Sequence, residues 1–177
     1  MSSGGSPLNR AQKGLRISDV YMRSSTLNVS QSYEHRSIDV DALQSQFRHL
    51  VEKSEVLVEE NDGDEQSIFR VFIDLGYRWG FTTEKQPQVE DGKQVGEDSR
   101  DDFDELGRIE AKFVAEYEIT EELPKECLDA FALQNASYHV WPYWREYVTS
   151  SCARMNVPKL VMPTIQPAQN RHATDAE

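Results

Sequence analysis

RIEAKFVAEYEIT, residues 108–120, is the segment that decides the fold. Every second side chain in it is apolar: Ile109, Ala111, Phe113, Ala115, Tyr117 and Ile119. Charged side chains fill most of the positions between them, and Val114 is the exception. This period of two is typical of an antiparallel strand that buries one face and turns the other to water. The segment therefore predicts a half-buried strand.

A second strand of the same kind precedes it. Residues 69–81 alternate in the same way, with the apolar positions at Phe69, Val71, Ile73, Leu75, Tyr77, Trp79 and Phe81. The acidic segment 82–107 joins the two strands and holds nine acidic residues against three basic ones. Such a composition is typical of a solvated loop. The sequence therefore predicts a long antiparallel hairpin with an acidic loop.

Weaker signals come from the first third of the chain. Residues 55–60 predict a short strand, which ends at the turn-forming run Asn-Asp-Gly-Asp of residues 61–64. Residues 17–33 predict another strand, with Leu27, Val29 and Tyr33 on one face. Residues 39–51 keep apolar side chains at helical spacing, which predicts a short helix.

One long helix is predicted from Lys125 to about Met155. Acidic residues and Pro124 lie at its start, and Pro142 is its only interior breaker. Its second half is apolar nearly all round, and such a helix must be covered on every face. One sheet covers one face, so a second copy of the chain is expected on the other. The interface candidates are Tyr138, Trp141, Trp144, Tyr147 and Val148. The predicted fold class is α+β, a four-stranded antiparallel sheet packed with a long helix.

Composition excludes several classes of protein. The 177 residues carry 31 acidic and 19 basic side chains, a net charge of −12, which argues against a nucleic-acid partner. No window approaches the roughly 20 apolar residues of a membrane span, and we expect no membrane insertion. The Ser/Gly-rich start is not followed by an apolar run, so a cytoplasmic location is expected. Cys127 and Cys152 lie too far apart along one helix to pair and are expected to be reduced thiols.

Enzyme signatures are missing from the sequence. It holds no GxGxxG, P-loop, GxSxG or HExxH motif, and its four histidines are scattered. We therefore predict that the protein is not an enzyme and that it uses no metal and no cofactor. Two alternatives stay open: a small-ligand pocket near Trp141 and Trp144, and a structural or adaptor subunit whose apolar surface is one permanent interface. Residues 1–16 and 164–177 are predicted to be flexible tails, which leaves 17–163 as one domain.

Three segments together resemble the SecB protein-export chaperones. They are Phe113–Glu116 in the last strand, WPYWRE at residues 141–146, and the proline-bounded VPKLVMP at residues 157–163, which is similar to the family's crossover loop. The resemblance implies an ATP-independent chaperone that holds unfolded clients in apolar grooves and assembles as a homotetramer, a dimer of dimers. Carried over by position, the client-binding candidates are Val56, Val58, Leu160, Val161, Met162 and Ile165.

Departures from the family pattern bear on which client is held. The family's second helix should follow the crossover loop, and here it is missing. Acidic contacts to the export motor in the first strand are replaced by Ser24 and Asn28, whereas Glu116 is retained as a partner contact. These differences favour the SecB-like branch of toxin–antitoxin–chaperone systems, in which the client is one dedicated antitoxin. General export of precursor proteins is the alternative role.

Overall fold

The structure is a computed structural model that describes residues 5–61, 64–82, 103–157 and 162–164. Its elements in chain order are α1 (Pro7–Gly14), β1 (Leu15–Val29), β2 (Gln44–Asn61), β3 (Asp64–Thr82), β4 (Phe103–Ile119), α2 (Lys125–Gln134) and α3 (Ala136–Met155). The four strands form one antiparallel sheet in the order β1-β4-β3-β2. This confirms the predicted α+β fold class, with a long C-terminal helix packed on the sheet.

Strands β3 and β4 form the predicted hairpin. Val71 pairs with Ala115, Ile73 with Phe113 and Leu75 with Ala111, so the two apolar alternations share the inner face, which we define as the face that packs against the helices. Side chains on this face are almost completely buried: Phe69, Val71, Ile73, Leu75, Tyr77, Trp79, Ile109, Ala111, Phe113, Ala115 and Tyr117. Burial of this row is the main source of stability, at roughly 25 cal/mol for each Å² of apolar surface.

The exception in the alternation, Val114, is also buried. It lies on the outer face of the sheet, where it pairs with Phe72 and Tyr21 on the neighbouring strands and is fully covered. The ammonium group of Lys53 sits 4.2 Å from the centre of the Phe72 ring. Long basic side chains therefore shield a small apolar patch on a face that is otherwise charged.

The predicted long helix is present but bent. Asn135 leaves helical geometry, with φ −126° and ψ −39°, and separates α2 from α3. Its side-chain carbonyl accepts a hydrogen bond from Gln12 in α1, at 3.0 Å. The left-handed residue Asn156 (φ 54°) ends α3. The sequence has no proline or glycine at this bend, since Pro142 lies seven residues further along the chain.

Two sequence expectations need correction. Residues 44–51 belong to β2 and not to a short helix, since Phe47, His49 and Val51 pair with Tyr77, Leu75 and Ile73 along β3. The expected flexible tail over residues 1–16 is instead ordered from Pro7, because α1 packs on α2 and buries Ala11 completely. The Ser6 hydroxyl caps this helix by accepting a hydrogen bond from the Asn9 backbone N–H at 3.3 Å.

The bounds of the acidic loop also change. Thr82 ends β3, and residues 103–107, which sequence patterns place in the loop, begin β4. Residues 83–102 lie outside the described part of the chain, as do residues 165–177 of the expected C-terminal tail.

Candidate functional site

The candidate site lies on β2, an outer strand of the sheet. Val56 pairs with Phe69 and Val58 with Ser67, so both valines point to the inner face. Phe69 is 1% exposed, whereas Val56 is 46% exposed and Val58 is 64% exposed. We call Val56 and Val58 the edge valines. They place an aliphatic surface beside the core, at the rim of the sheet.

Acidic side chains flank the edge valines. Glu59 and Glu60 are exposed, and Glu55 makes an ion pair of 3.0 Å with Lys53. The hydrogen bond from Lys53 lowers the pKa of the Glu55 carboxyl, which keeps it ionised. Glu55 pairs with Arg70 and Glu59 with Gln66, so these two side chains point to the outer face, whereas Glu60 pairs with Glu65 on the inner face beside the edge valines. On the inner face the site is therefore apolar with one acidic end, and this combination suits a partner segment that carries apolar and basic residues.

The other predicted client-binding residues are placed differently. Met162 is 4% exposed and belongs to the core, so in this conformation it offers no surface to a client. The residue after it, Pro163, accepts a hydrogen bond of 3.0 Å from the indole N–H of Trp141. Leu160, Val161 and Ile165 lie outside the described residues.

The predicted interface residues divide into two groups. Trp141, Trp144 and Val148 are at most 2% exposed within a single chain, so they have no surface left to give to a second copy. Within the chain α3 turns them onto its own sheet, and their interface role stays a prediction. Tyr138 is half-exposed and Tyr147 is partly buried, and the outward side of α3 also carries Glu146 and Thr149. The helix is therefore amphipathic, with an exposed polar side.

The indole rings of Trp141 and Trp144 occupy the space in which a small-ligand pocket would have to lie. The Trp144 ring meets Phe113 edge-on with centroids 6.4 Å apart, and the Trp141 ring stacks on His49 at 5.6 Å. A cleft of about 350 Å³ lies elsewhere, on the outer face of the sheet, where Arg48, Arg108 and Glu110 contribute to its lining. The two tryptophans therefore act as core residues.

Sequence reasoning missed an exposed apolar row on β1. Ile17, Met22 and Leu27 are 40% to 44% exposed and pair with inner-face residues of β4, namely Tyr117, Phe113 and Ile109. Alternation alone would put Met22 on the face opposite Ile17 and Leu27, because five residues separate each neighbouring pair, and the register shifts after Ile17 and after Met22 bring all three to one face. Alternation also does not show that β1 is an outer strand, and only that position exposes the row.

Glu116 is engaged within its own chain. Its carboxylate accepts a hydrogen bond of 2.8 Å from the Tyr21 hydroxyl and makes an ion pair of 2.7 Å with Arg70. Partial burial, together with this hydrogen bond, raises the pKa of Tyr21. The predicted partner contact is thus a pair inside the sheet, with its side chain 19% exposed.

The described ranges hold no group of three or more His, Cys, Asp or Glu side chains arranged to bind a metal ion. Cys127 and Cys152 are both buried free thiols, and burial raises the pKa of Cys152. In the same part of the chain, no helix is both long and apolar enough to cross a membrane.

His139 gives the fold a testable pH dependence. Its Nδ1 atom lies 2.9 Å from the hydroxyl of buried Tyr117, and burial lowers the pKa of His139. The unfolded chain binds this proton near pH 6.5 and the folded chain only at lower pH, so stability present above about pH 6.5 is lost as the pH falls. The free energy of unfolding should therefore fall between about pH 7.5 and pH 5.5, and fall less in His139→Gln. Equal losses of unfolding free energy in the wild type and in His139→Gln would show that His139 is not the source of the pH dependence.

Comparisons with known proteins relate the fold to a solved chaperone. No protein-family model matches the sequence, and no curated protein does. Among solved structures, the fold is similar to the SecB-like chaperone Rv1957 of Mycobacterium tuberculosis, solved in complex with a ChAD peptide from the HigA1 antitoxin Rv1956. The TM-score is 0.59 at 18% sequence identity, and the match covers 92% of this chain and 99% of that chain. The likeness establishes a SecB-like fold.

Proposed function

We propose that this chain is an ATP-independent chaperone that holds unfolded or aggregation-prone chains against the inner rim of its sheet. One observation carries the proposal: the edge valines stay 46% and 64% exposed while their neighbour Phe69 is buried. Exposed aliphatic side chains at the rim of a sheet risk aggregation unless a partner covers them. The SecB-like fold supports a chaperone role, since the similar structure is a chaperone bound to an antitoxin peptide.

The client we propose is one dedicated antitoxin. The similar chaperone was solved with such a peptide. In this chain the Glu116 carboxylate is occupied by Arg70 and Tyr21, and the first strand carries Ser24 and Asn28 where acidic contacts to an export motor are expected. Both observations favour the antitoxin role over general export. The role is non-enzymatic and, in this proposal, cytoplasmic.

The client groove of this proposal extends beyond the edge valines. Leu160, Val161 and Ile165 belong to it by resemblance, on the segment that follows α3. Met162 is left out, because it is buried. The domain that carries the groove is proposed to span residues 17–163, with α1 packed onto it.

Self-association is the remaining part of the proposal. Apolar surface for contact with a second copy of the chain is present on the exposed row of β1 (Ile17, Met22 and Leu27) and at Tyr138 and Tyr143 on α3. We take a dimer of dimers as the assembly. This assignment moves the interface from the buried tryptophans to residues that still have surface to bury.

A pull-down from native cells tests the proposed function. The tagged chain should retain one dominant small protein, an antitoxin, together with its toxin, and light scattering should give the mass of the assembly. The same bait with Val56→Asp and Val58→Asp serves as the matched control and should lose that partner. A broad set of unfolded precursors would instead indicate general export, and recovery of the same partner by both baits would contradict the site.

A further inference from the structure

We propose that the cleft on the outer face of the sheet is a second binding site, which binds an acidic peptide segment of a partner protein. The cleft has a volume of about 350 Å³ and is lined by residues of β2, β3 and β4. We call it the arginine cleft, after Arg48, Arg78 and Arg108 in its lining. The edge valines point to the opposite face of the sheet, so this site adds to the proposed function and does not depend on it.

The charge of the arginine cleft is opposite to that of the whole chain. Its lining holds three arginines and one acidic residue, Glu110, whereas the chain has a net charge of −12. Asp74 and Glu105 contact the arginines from beside the lining. An acidic peptide is repelled by the chain as a whole, so its binding requires a local site of this kind.

The fold already holds carboxylates against these guanidinium groups. Nη2 of Arg48 lies 3.3 Å and Nη1 of Arg108 lies 3.9 Å from the same oxygen atom of Glu110. Arg108 also donates two hydrogen bonds of 2.6 Å to the Glu105 carboxylate, from Nε and Nη2. The side chains of Arg48 and Arg108 are 44% and 40% exposed. Each guanidinium has five N–H groups, so both can accept further carboxylate oxygens from solvent.

Two of the arginines face each other across neighbouring strands. Arg78 of β3 and Arg108 of β4 are direct partners in the register, and like charges in such a pair destabilise a sheet. The Glu105 carboxylate lies 2.6 Å from Arg108 and 3.8 Å from Arg78, so it serves both. A local arrangement that costs stability is typical of a functional site.

Gly76 forms the floor of the cleft, at a position where the fold does not demand glycine. It pairs in regular register with Arg48 on β2 and Glu110 on β4, and its φ lies outside the left-handed region. A Cβ atom there would lie 3.3 Å from Cβ of Arg48, whereas at Gly80 it would lie 2.0 Å from a backbone oxygen. Glycine inside a strand costs stability and often marks the close approach of a ligand.

The dimensions of the cleft favour a peptide over a single small anion. Arg48 and Arg108 stand on strands that flank β3, so the cleft is roughly 10 Å wide between them. Alternate side chains of an extended peptide are roughly 7 Å apart. Two acidic side chains at this spacing can therefore reach both arginines, while one inorganic anion reaches only one side.

Binding of fluorescein-labelled hexaglutamate to the full chain tests the inference, with hexaglutamine as the neutral peptide of equal length. We expect saturable binding of hexaglutamate alone. Arg48→Gln with Arg108→Gln should weaken it roughly tenfold or more, because two charge-assisted contacts are lost. Arg16→Gln with Arg23→Gln removes the same charge from exposed positions on β1 and should stay within about twofold of wild type.

Gly76→Ala tests the cleft itself, because it keeps every charge and changes only the floor. It should bind hexaglutamate roughly threefold or more weakly, since a methyl group fills space that the peptide needs. Circular dichroism checks that each variant is folded. Wild-type affinity in Gly76→Ala would show that the peptide does not enter the cleft.

Three further results would overturn the inference. The first is no binding of hexaglutamate by the wild-type chain. The second is equal weakening by the two double arginine variants, which would assign binding to net charge. The third is binding of inorganic triphosphate in place of hexaglutamate, which would assign a small anion to the cleft. Val56→Asp with Val58→Asp should bind hexaglutamate within about twofold of wild type, so failure of the client site and failure of the arginine cleft are separate results.

Discussion

Gly107→Ala is expected to destabilise the fold by about 3 kcal/mol or more, since overpacking a buried site against a rigid group is among the costlier substitutions. Gly107 pairs with Trp79 across β3 and β4. A Cβ atom at position 107 would lie 2.1 Å from Cζ2 of Trp79 and 2.6 Å from Cη2. The indole has no room to move, because it is 1% exposed and stacks on Tyr77 with centroids 5.4 Å apart.

Gly76→Ala is the matched control for this variant. Its Cβ would lie 3.3 Å from Cβ of Arg48, a contact that a shift of a few tenths of an ångström in the outer strand β2 relieves, and 3.5 Å from Nε, which is ordinary contact. The control should stay within about 1 kcal/mol of wild type, since alanine suits a strand better than glycine does. Chemical denaturation measures both values. Equal stabilities for the two variants would show that the Trp79 ring does not rest on Gly107.

Val56→Asp combined with Val58→Asp is expected to weaken binding of an unfolded client by at least tenfold. Both side chains are exposed in the free chain, so the fold should tolerate the change. A bound client would cover the two carboxylates, and burying an unpaired charge costs several kcal/mol. Fluorescence anisotropy with labelled unfolded lysozyme gives the affinity, and circular dichroism checks the fold.

The control for this variant adds the same charge elsewhere. Ser24→Asp with Asn28→Asp places two carboxylates on exposed β1 positions that pair with Lys112 and Arg108. It should bind the probe within about twofold of wild type, because long-range repulsion between exposed charges is screened by salt. Equal weakening by both double variants would assign the effect to net charge, and no weakening by the valine variant would move the client site away from β2.

The sheet could be predicted from sequence because burial on one face leaves a period of two. That signal is strong in β3 and β4, where the inner positions are apolar throughout. In β2 it is weaker, because buried His49 interrupts the apolar positions, while Leu43, Phe47 and Leu50 also fit helical spacing. Pairing with β3 decides the structure there. Helix α1 was missed because it has only eight residues and is mostly polar, with Leu8 and Ala11 as its apolar contacts to the core.

The candidate site was predicted only in part. The resemblance located the edge valines, but no pattern in the sequence shows that they remain exposed. The aromatic run on α3 suggested an interface, whereas Trp141 and Trp144 face the chain's own sheet. The hydropathy of a side chain indicates that it is buried, but it does not indicate which surface buries it. For the same reason the exposed row on β1 became visible only with the strand order.

Titration of the wild-type chain with unfolded and native lysozyme, in the absence of nucleotide, tests the central claim most directly. We predict saturable binding of the reduced, carboxamidomethylated form and no measurable binding of the native form at the same ionic strength. Lysozyme is basic in both states, so charge attraction alone would bind the two equally. Equal binding of both forms, or binding of neither, would contradict a chaperone that holds unfolded chains.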